Sequence, residues 1–241
     1  MKKEIQYAND EISYHKNAFE IMGLKYRTNP WDEKKILRVL KFLGVFEINA
    51  QRVLDFGCGT AAFTPYLKRS FDSVIGLDIT YSNVKIAKNI DKNCEYICGD
   101  GINLPFEDES MDAVFCGAIL HHFSDITEPI KEINRVLKQS GILFAVEGNE
   151  WNPLAFVQYR AKFGKSWKTR GHRPLNYLYV KRRFSKCGFT VRNINGISFA
   201  PSNPKGIWKL IKKMEPLIES SPLVNLLGGS LLVTAEKVGQ V

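Results

Sequence analysis

An α/β fold with a mostly parallel sheet and helices on both faces is predicted by three features of the sequence. Short apolar runs alternate with segments of helical periodicity. Acids recur at the ends of the early runs: Asp55, Asp78 and Asp100. The first run leads into a glycine-rich turn, "DFGCGTAAF" at 55–63. Strand–helix alternation at this spacing sets successive strands parallel, with crossover helices covering the faces. Ligands of such sheets bind outside the carboxyl ends of the strands, where strand order reverses. The three acids therefore converge on one edge of the sheet, which scattered surface acids would not do.

Taken in order, residues 1–50 read as helical. "PWDEKKILRVLKFLGVF" puts Ile36, Val39, Leu40 and Leu43 on one face, with Gly44 as a stop. Strands are expected at Arg52–Phe56, Ser73–Leu77, Cys94–Cys98, Ala113–Gly117 and Ile142–Glu147. Between them, "YSNVKIAKNI" repeats apolar residues at Val84, Ala87 and Ile90. "DITEPIKEINRVLKQSG" does so at Ile126, Ile130, Ile133 and Leu137. Pro129 is compatible with that helix only in its first turn, and Gly141 is expected to end it. "YLYVKRRFSKCGF" is expected to be a helix closed by Gly188, "TVRNING" a strand, and "GGSLLVTAEKV" a final strand.

The chain has 241 residues, enough for one large α/β domain, and its apolar fraction of 44% is that of a soluble globular protein. The expected organisation is a single domain over 1–241. Residues 1–50 form an N-terminal helical lid, 51–150 a ligand-binding core, and 151–241 the rest of the sheet with basic, substrate-side insertions. The first residues lack an apolar signal core, and no run approaches the ~20 apolar residues of a membrane helix. The five cysteines are scattered, with no CxxC pair and no zinc-type spacing, so a reducing, cytoplasmic setting and no metal are expected.

The net charge is +9, and its distribution is uneven. From Trp151 to Met214 there is no Asp or Glu but fifteen Lys and Arg, which leaves the rest of the chain at −6. This is a solvated basic face or the mark of an anionic partner. Residues 205–218, "KGIWKLIKKMEPLI", set Ile207, Leu210, Ile211, Met214 and Ile218 on one helical face with lysines toward the other. Such a helix covers the protein's own core or lies on an anionic membrane; the first is the expectation.

Alone, Gly57-Cys58-Gly59-Thr60-Ala61-Ala62 satisfies a relaxed dinucleotide fingerprint. Asp55, two positions ahead of the glycines, argues against it: a diphosphate is repelled there, whereas an amino group or sulfonium is attracted. Asp100 can accept from an exocyclic adenine amine. With "GLDIT", "GDGINLPF", "LHHF" and "EINRVLKQSG" added to "DFGCGTAAF", the sequence resembles the class I S-adenosylmethionine-dependent methyltransferases, specifically the large small-molecule (type 11) group. The resemblance covers about residues 50 to 150. It implies a Rossmann-like, seven-stranded, doubly wound sheet whose last strand is antiparallel. It also implies S-adenosyl-L-methionine as cofactor and S-adenosyl-L-homocysteine as product.

By position, the resemblance gives Gly57, Cys58, Gly59 and the backbone near Thr60 to the methionine moiety, with Asp55 near its amino group. Asp78 would take both ribose hydroxyls and Ile79 would pack on adenine. Asp100 and Gly101 would face the adenine amine and ring, and Gly117 and Ala118 would offer backbone near the amino-acid end. Ala61 stands where the family usually has glycine; alanine fits there if φ is negative and narrows the room beside the ligand. Gln139-Ser140 replaces the usual Pro-Gly pair.

Methyl transfer asks little of side chains beyond alignment, and a base helps when the acceptor must lose a proton. His121 and His122 follow the fourth strand on the acceptor side and are candidates for that base; the alternative is that they hold a loop. Tyr14 and His15 are candidate acceptor contacts. Glu147, ending the fifth strand, touches the acceptor or caps a following helix. The acceptor is expected to be a small molecule, anionic or lipid-linked, with peripheral membrane contact open. A nucleic-acid methyltransferase is favoured by charge alone, since "GAIL" is not the Asn/Asp-Pro-Pro-aromatic motif of base N-methylating enzymes. A nicotinamide oxidoreductase is disfavoured by Asp55 and Asp100. A binding protein that keeps the fold without the chemistry has no distinguishing sequence mark.

Overall fold

The structure is a computed structural model that describes residues 33–152, 175–197, 206–219, 221 and 225–238. The described helices and strands are α1 (Glu33–Leu43), β1 (Arg52–Phe56), α2 (Thr64–Lys68), β2 (Ser73–Asp78), α3 (Tyr81–Ile90), β3 (Glu95–Cys98), β4 (Met111–Gly117), α4 (Thr127–Val136), β5 (Leu137–Gly148), α5 (Tyr177–Lys186), β6 (Phe189–Ile197), α6 (Ile207–Glu219) and β7 (Ser230–Lys237). The sheet has seven strands in the order β3-β2-β1-β4-β5-β7-β6. All pairings are parallel except those of β7, which runs antiparallel to both β5 and β6. The order reverses beside β1, between β1 and β4, and a cleft opens there at the strands' carboxyl ends.

Alternation along the strands builds two cores. Leu54, Phe56, Ile75, Leu77, Val114 and Cys116 point to one face, where Ile130 and Ile133 of α4 and Phe184 of α5 cover them. Val53, Val74, Ala113, Phe115 and Phe144 point to the other, under Ile36, Val39, Leu40 and Leu43 of α1 and Leu67 of α2. The helices are thus held by apolar stripes that match the 3.6-residue period, on strands that match the period of two. Gly44 ends α1 at φ 73°, a conformation glycine adopts without strain.

Three expectations need correction. The helix after β4 stops at Val136, not at Gly141, because Leu137 already pairs with Met111 as the first residue of β5. The backbone then detours through Ser140 at φ 60° before Ile142 pairs with Ala113. Second, Ala61 has φ 67°, so alanine sits in the left-handed region rather than at a negative φ. Its methyl is buried with Cys58, Val84, Ala87 and Tyr96, which offsets the strain. Third, α6 buries its apolar stripe only in part, with Ile211 and Ile218 half-buried. Leu210 is 57% and Met214 44% exposed, while Glu215 and Glu219 face inward and pair with Arg38 of α1.

No helix among the described residues is long and apolar enough to cross a membrane. All five cysteines are free thiols.

Candidate functional site

The glycine turn after β1 is stitched to the end of β2. Gly57 N–H and Cys58 N–H both donate to the Leu77 carbonyl, at 2.8 and 3.0 Å. Gly57 has φ 74°, and a β-carbon there would lie 2.3 Å from Ile119, so both conformation and space require glycine. Asp78 then ties the turn down. Its Oδ2 accepts from Gly59 N–H at 2.9 Å, and its Oδ1 accepts from Thr80 N–H at 2.8 Å and from Asn83 Nδ2 at 3.2 Å. A carboxylate has about four acceptor positions. Three are taken, so in this conformation Asp78 has room for one further donor rather than two.

Asp55 lies behind the turn, 1% exposed, and accepts a 2.6 Å hydrogen bond from Thr64 Oγ1. Burial pushes its carboxyl up to about 7; the Thr64 hydroxyl opposes the shift and the nearby Asp78 charge adds to it. Near neutrality the group is about half ionised. A cation nearby would complete the ionisation, and a diphosphate would meet a second negative charge.

A cleft of about 580 Å³ opens at the strand tips, lined by Gly57, Asp78, Ile79, Asp100, Gly101 and His122 among others. Gly101 packs so closely that a β-carbon would lie 2.4 Å from the Phe56 ring. Asp100 accepts from Ile102 N–H at 3.1 Å, which fixes its loop. Thr80 also lines the cleft. Its hydroxyl is buried without a hydrogen-bond partner in the structure, and a ligand hydroxyl would supply one.

At the tips of β4 and β5 a second cluster forms. Glu147 is 2% exposed; its Oε1 accepts from Ile119 N–H (2.9 Å) and Leu120 N–H (2.6 Å), and its Oε2 lies 2.7 Å from His121 Nδ1. It therefore caps the single-turn 3-10 helix Leu120–His122, not a helix that follows β5. The contact turns His121 Nδ1 toward the carboxylate. The His122 ring lies tilted against that of His121, with centroids 4.2 Å apart, and reaches the cleft wall.

Arg135 explains the "GINLPF" and "EINRVLK" motifs together. Its guanidinium donates to the Leu104 and Phe106 carbonyls, to Glu132 and to Asp108 at 2.7–3.0 Å. Glu132 in turn accepts from Leu104 N–H at 3.0 Å. Helix α4 thereby clamps the segment that follows Asp100 and Gly101.

With this geometry in place, residues 54–145 match the protein family described as "Methyltransferase domain". Over these residues the chain resembles a methyltransferase domain. A demethylmenaquinone methyltransferase of Thermotoga maritima is 37% identical over 105 residues, 43% of this chain and 46% of that protein. A protein of the same name from Staphylococcus saprophyticus is 34% identical over 127 residues, 50% of this chain and 54% of its own length. The chain thus spans about half the length of the curated relatives it matches. The crystal structure of a putative methyltransferase from Bacillus halodurans shares the fold with a TM-score of 0.65 at 20% identity, over 86% of this chain and all of the other.

Of the residues expected in the site, Gly57, Asp78, Ile79, Asp100, Gly101 and His122 line the cleft. Asp55, Cys58 and Gly59 lie behind or beside it in the turn, and Gly59 N–H is taken by Asp78. Thr60 follows directly in the same turn. Ala118 stands at φ 59° and its N–H donates to the Val146 carbonyl at 2.7 Å, so that amide is already engaged. A β-carbon at Gly117 would lie 2.9 Å from both the Phe63 and Phe115 rings, so there is no room for a side chain. Tyr14 and His15 lie outside the described residues. Sequence reasoning missed Thr80, Phe123, Asp125, Thr127 and Arg183 in the cleft wall. Thr80 was signalled by "GLDIT", where a hydroxyl residue follows the strand-end acid by two. Arg183 arrives from α5, donates to Thr127 Oγ1 at 2.9 Å and pairs with Asp125 at 3.3 Å; no local pattern marks it.

Proposed function

We propose that this chain is an S-adenosyl-L-methionine-dependent methyltransferase that moves a methyl group to a small-molecule or lipid-linked acceptor, with S-adenosyl-L-homocysteine as the other product. The observation that carries this reading is the buried Asp55 carboxyl behind the glycine turn, poised near neutrality to ionise beside a cationic ligand. The orphan Thr80 hydroxyl next to Asp78 supports it, since a ribose supplies the missing partner. Bound there, the cofactor supplies a methyl group made electrophilic by its sulfonium.

The chain's own residues would divide the work. Asp55 attracts the amino-acid end electrostatically. Asp78 and Thr80 hold the ribose edge, Ile79 packs on the adenine, and Asp100 accepts from its exocyclic amine. Backbone at Gly57, Cys58, Gly59 and Thr60, and at Gly117 and Ala118, shapes the methionine end. On the acceptor side His121 or His122 serves as the base when the acceptor must lose a proton, and Glu147 orients the His121 ring through Nδ1. His122 lines the adjoining wall. Tyr14 and His15, outside the described residues, are the remaining candidates for acceptor contact, and the protein works in the cytoplasm. The relatives named demethylmenaquinone methyltransferases are in keeping with an acceptor that is small or lipid-linked.

Isothermal titration with S-adenosyl-L-methionine, S-adenosyl-L-homocysteine and NADH tests the reading. Micromolar uptake of the first two with none of NADH is expected; the reverse pattern refutes it. Transfer of a labelled methyl group from the cofactor into a cell extract then identifies the acceptor.

A further inference from the structure

We propose that α6 is a docking element that seats this protein on an anionic lipid surface. Its orientation is the first observation. An amphipathic helix on a globular protein ordinarily turns its apolar stripe inward. Here Glu215 and Glu219 are the buried residues, held by Arg38 on α1, and Lys212 reaches back to Glu215 at 2.8 Å. Leu210, Met214 and Leu217, at positions i, i+4 and i+7, are 57%, 44% and 71% exposed. The protein thus anchors the helix through Glu215 and Glu219, with Ile211 and Ile218 half-buried, and presents Leu210, Met214 and Leu217 to the outside.

The second observation is the charge around that stripe. Lys209, Lys212 and Lys213 are exposed on the same helix. Phe42 lies beside the anchor, with the Arg38 guanidinium 5.6 Å from its ring centroid, and is itself 40% exposed; Phe46, one turn on, is 46% exposed. An apolar stripe bordered by lysines complements a bilayer interface, where acyl chains take the side chains and anionic headgroups take the ammonium groups. A nucleic acid has use for the lysines alone and leaves the stripe in water. The inference stands apart from methyl transfer, because docking is read without turnover.

The test is co-sedimentation of the full chain with vesicles of phosphatidylcholine alone and with one-third phosphatidylglycerol, at moderate salt. Sedimentation with the anionic vesicles only is expected. The double variant Leu210→Gln with Met214→Gln should bind at least tenfold more weakly with an unchanged melting temperature. Lys209→Glu with Lys213→Glu should lose about fivefold per lysine or more. Hydrogen exchange of the wild-type chain, which needs no variant, should show protection over 207–219 when anionic vesicles are added. No sedimentation, no protection of 207–219, equal binding by the glutamine variant, or tighter binding to an RNA oligonucleotide than to vesicles each overturns the proposal.

Discussion

Replacing Asp55 by asparagine isolates the electrostatics of the site. In the ligand-free protein this carboxyl is raised from 3.8 to about 7, chiefly by burial. Between those values the unfolded chain has released the proton and the folded chain still holds it. Folding therefore takes up a proton, and stability falls as pH rises through the window, by about 1.4 kcal/mol per pH unit. Over the whole window Asp55 removes about 4 kcal/mol, and between pH 5 and pH 7 it removes about 2.3 kcal/mol. Asparagine keeps the shape and can still accept from Thr64, but it does not titrate. Urea denaturation of both proteins at pH 5 and pH 8 should show the variant gaining about 2–3 kcal/mol relative to wild type at the higher pH. For a chain of this size that is a shift of about 5–10 °C in Tm. The same variant should lose cofactor affinity, and the wild-type rise in affinity between pH 5 and 7 should flatten. Parallel stability profiles for the two proteins would refute the assignment of a buried, near-neutral carboxyl, whatever ligand the site takes.

Ser140→Gly should stabilise the fold by about 0.5–1 kcal/mol, because Ser140 is exposed and held at φ 60°, and a rise of about 2 °C in Tm checks it. Gly101→Ala should cost about 1–3 kcal/mol by pushing on the Phe56 ring and should weaken cofactor binding more than tenfold, measured by calorimetry. His121→Gln should lower turnover about 10²-fold or more with little change in cofactor affinity; Glu147→Gln should lower it less and shift the pH profile, and unchanged rates in both would remove the dyad from the chemistry. Arg135→Lys should cost about 2 kcal/mol in denaturant, since an ammonium cannot serve the Leu104 and Phe106 carbonyls, Glu132 and Asp108 at once.

The sheet was readable because its strands are short apolar runs closed by acids and glycines, signals that act within a few residues. Arg52–Phe56 was expected with the bounds it has, and β2 extends by one residue to the acid that ends it. The error at Gly141 has a local cause. Apolar periodicity ran on through Leu137, but pairing with Met111 drew that residue into the sheet, and no helical pattern encodes a neighbouring strand. Asp78 and Asp100 were legible as strand-end acids. The grip of Glu147 on Ile119 and Leu120 joins residues 27 and 28 positions apart, so only the fold reveals it. The outward turn of α6 was hidden for the same reason: it depends on Arg38, far away in the chain.

Because one carboxylate, that of Asp78, holds amides on both sides of the first crossover, the mouth of the cleft is cast before anything enters it. An incoming nucleoside has no main-chain segment to set in order there, so little of its binding energy is spent on freezing the host. Association should be fast and single-phased in stopped-flow mixing, and Asp78→Ala should add a slow phase as the two turns come loose from each other.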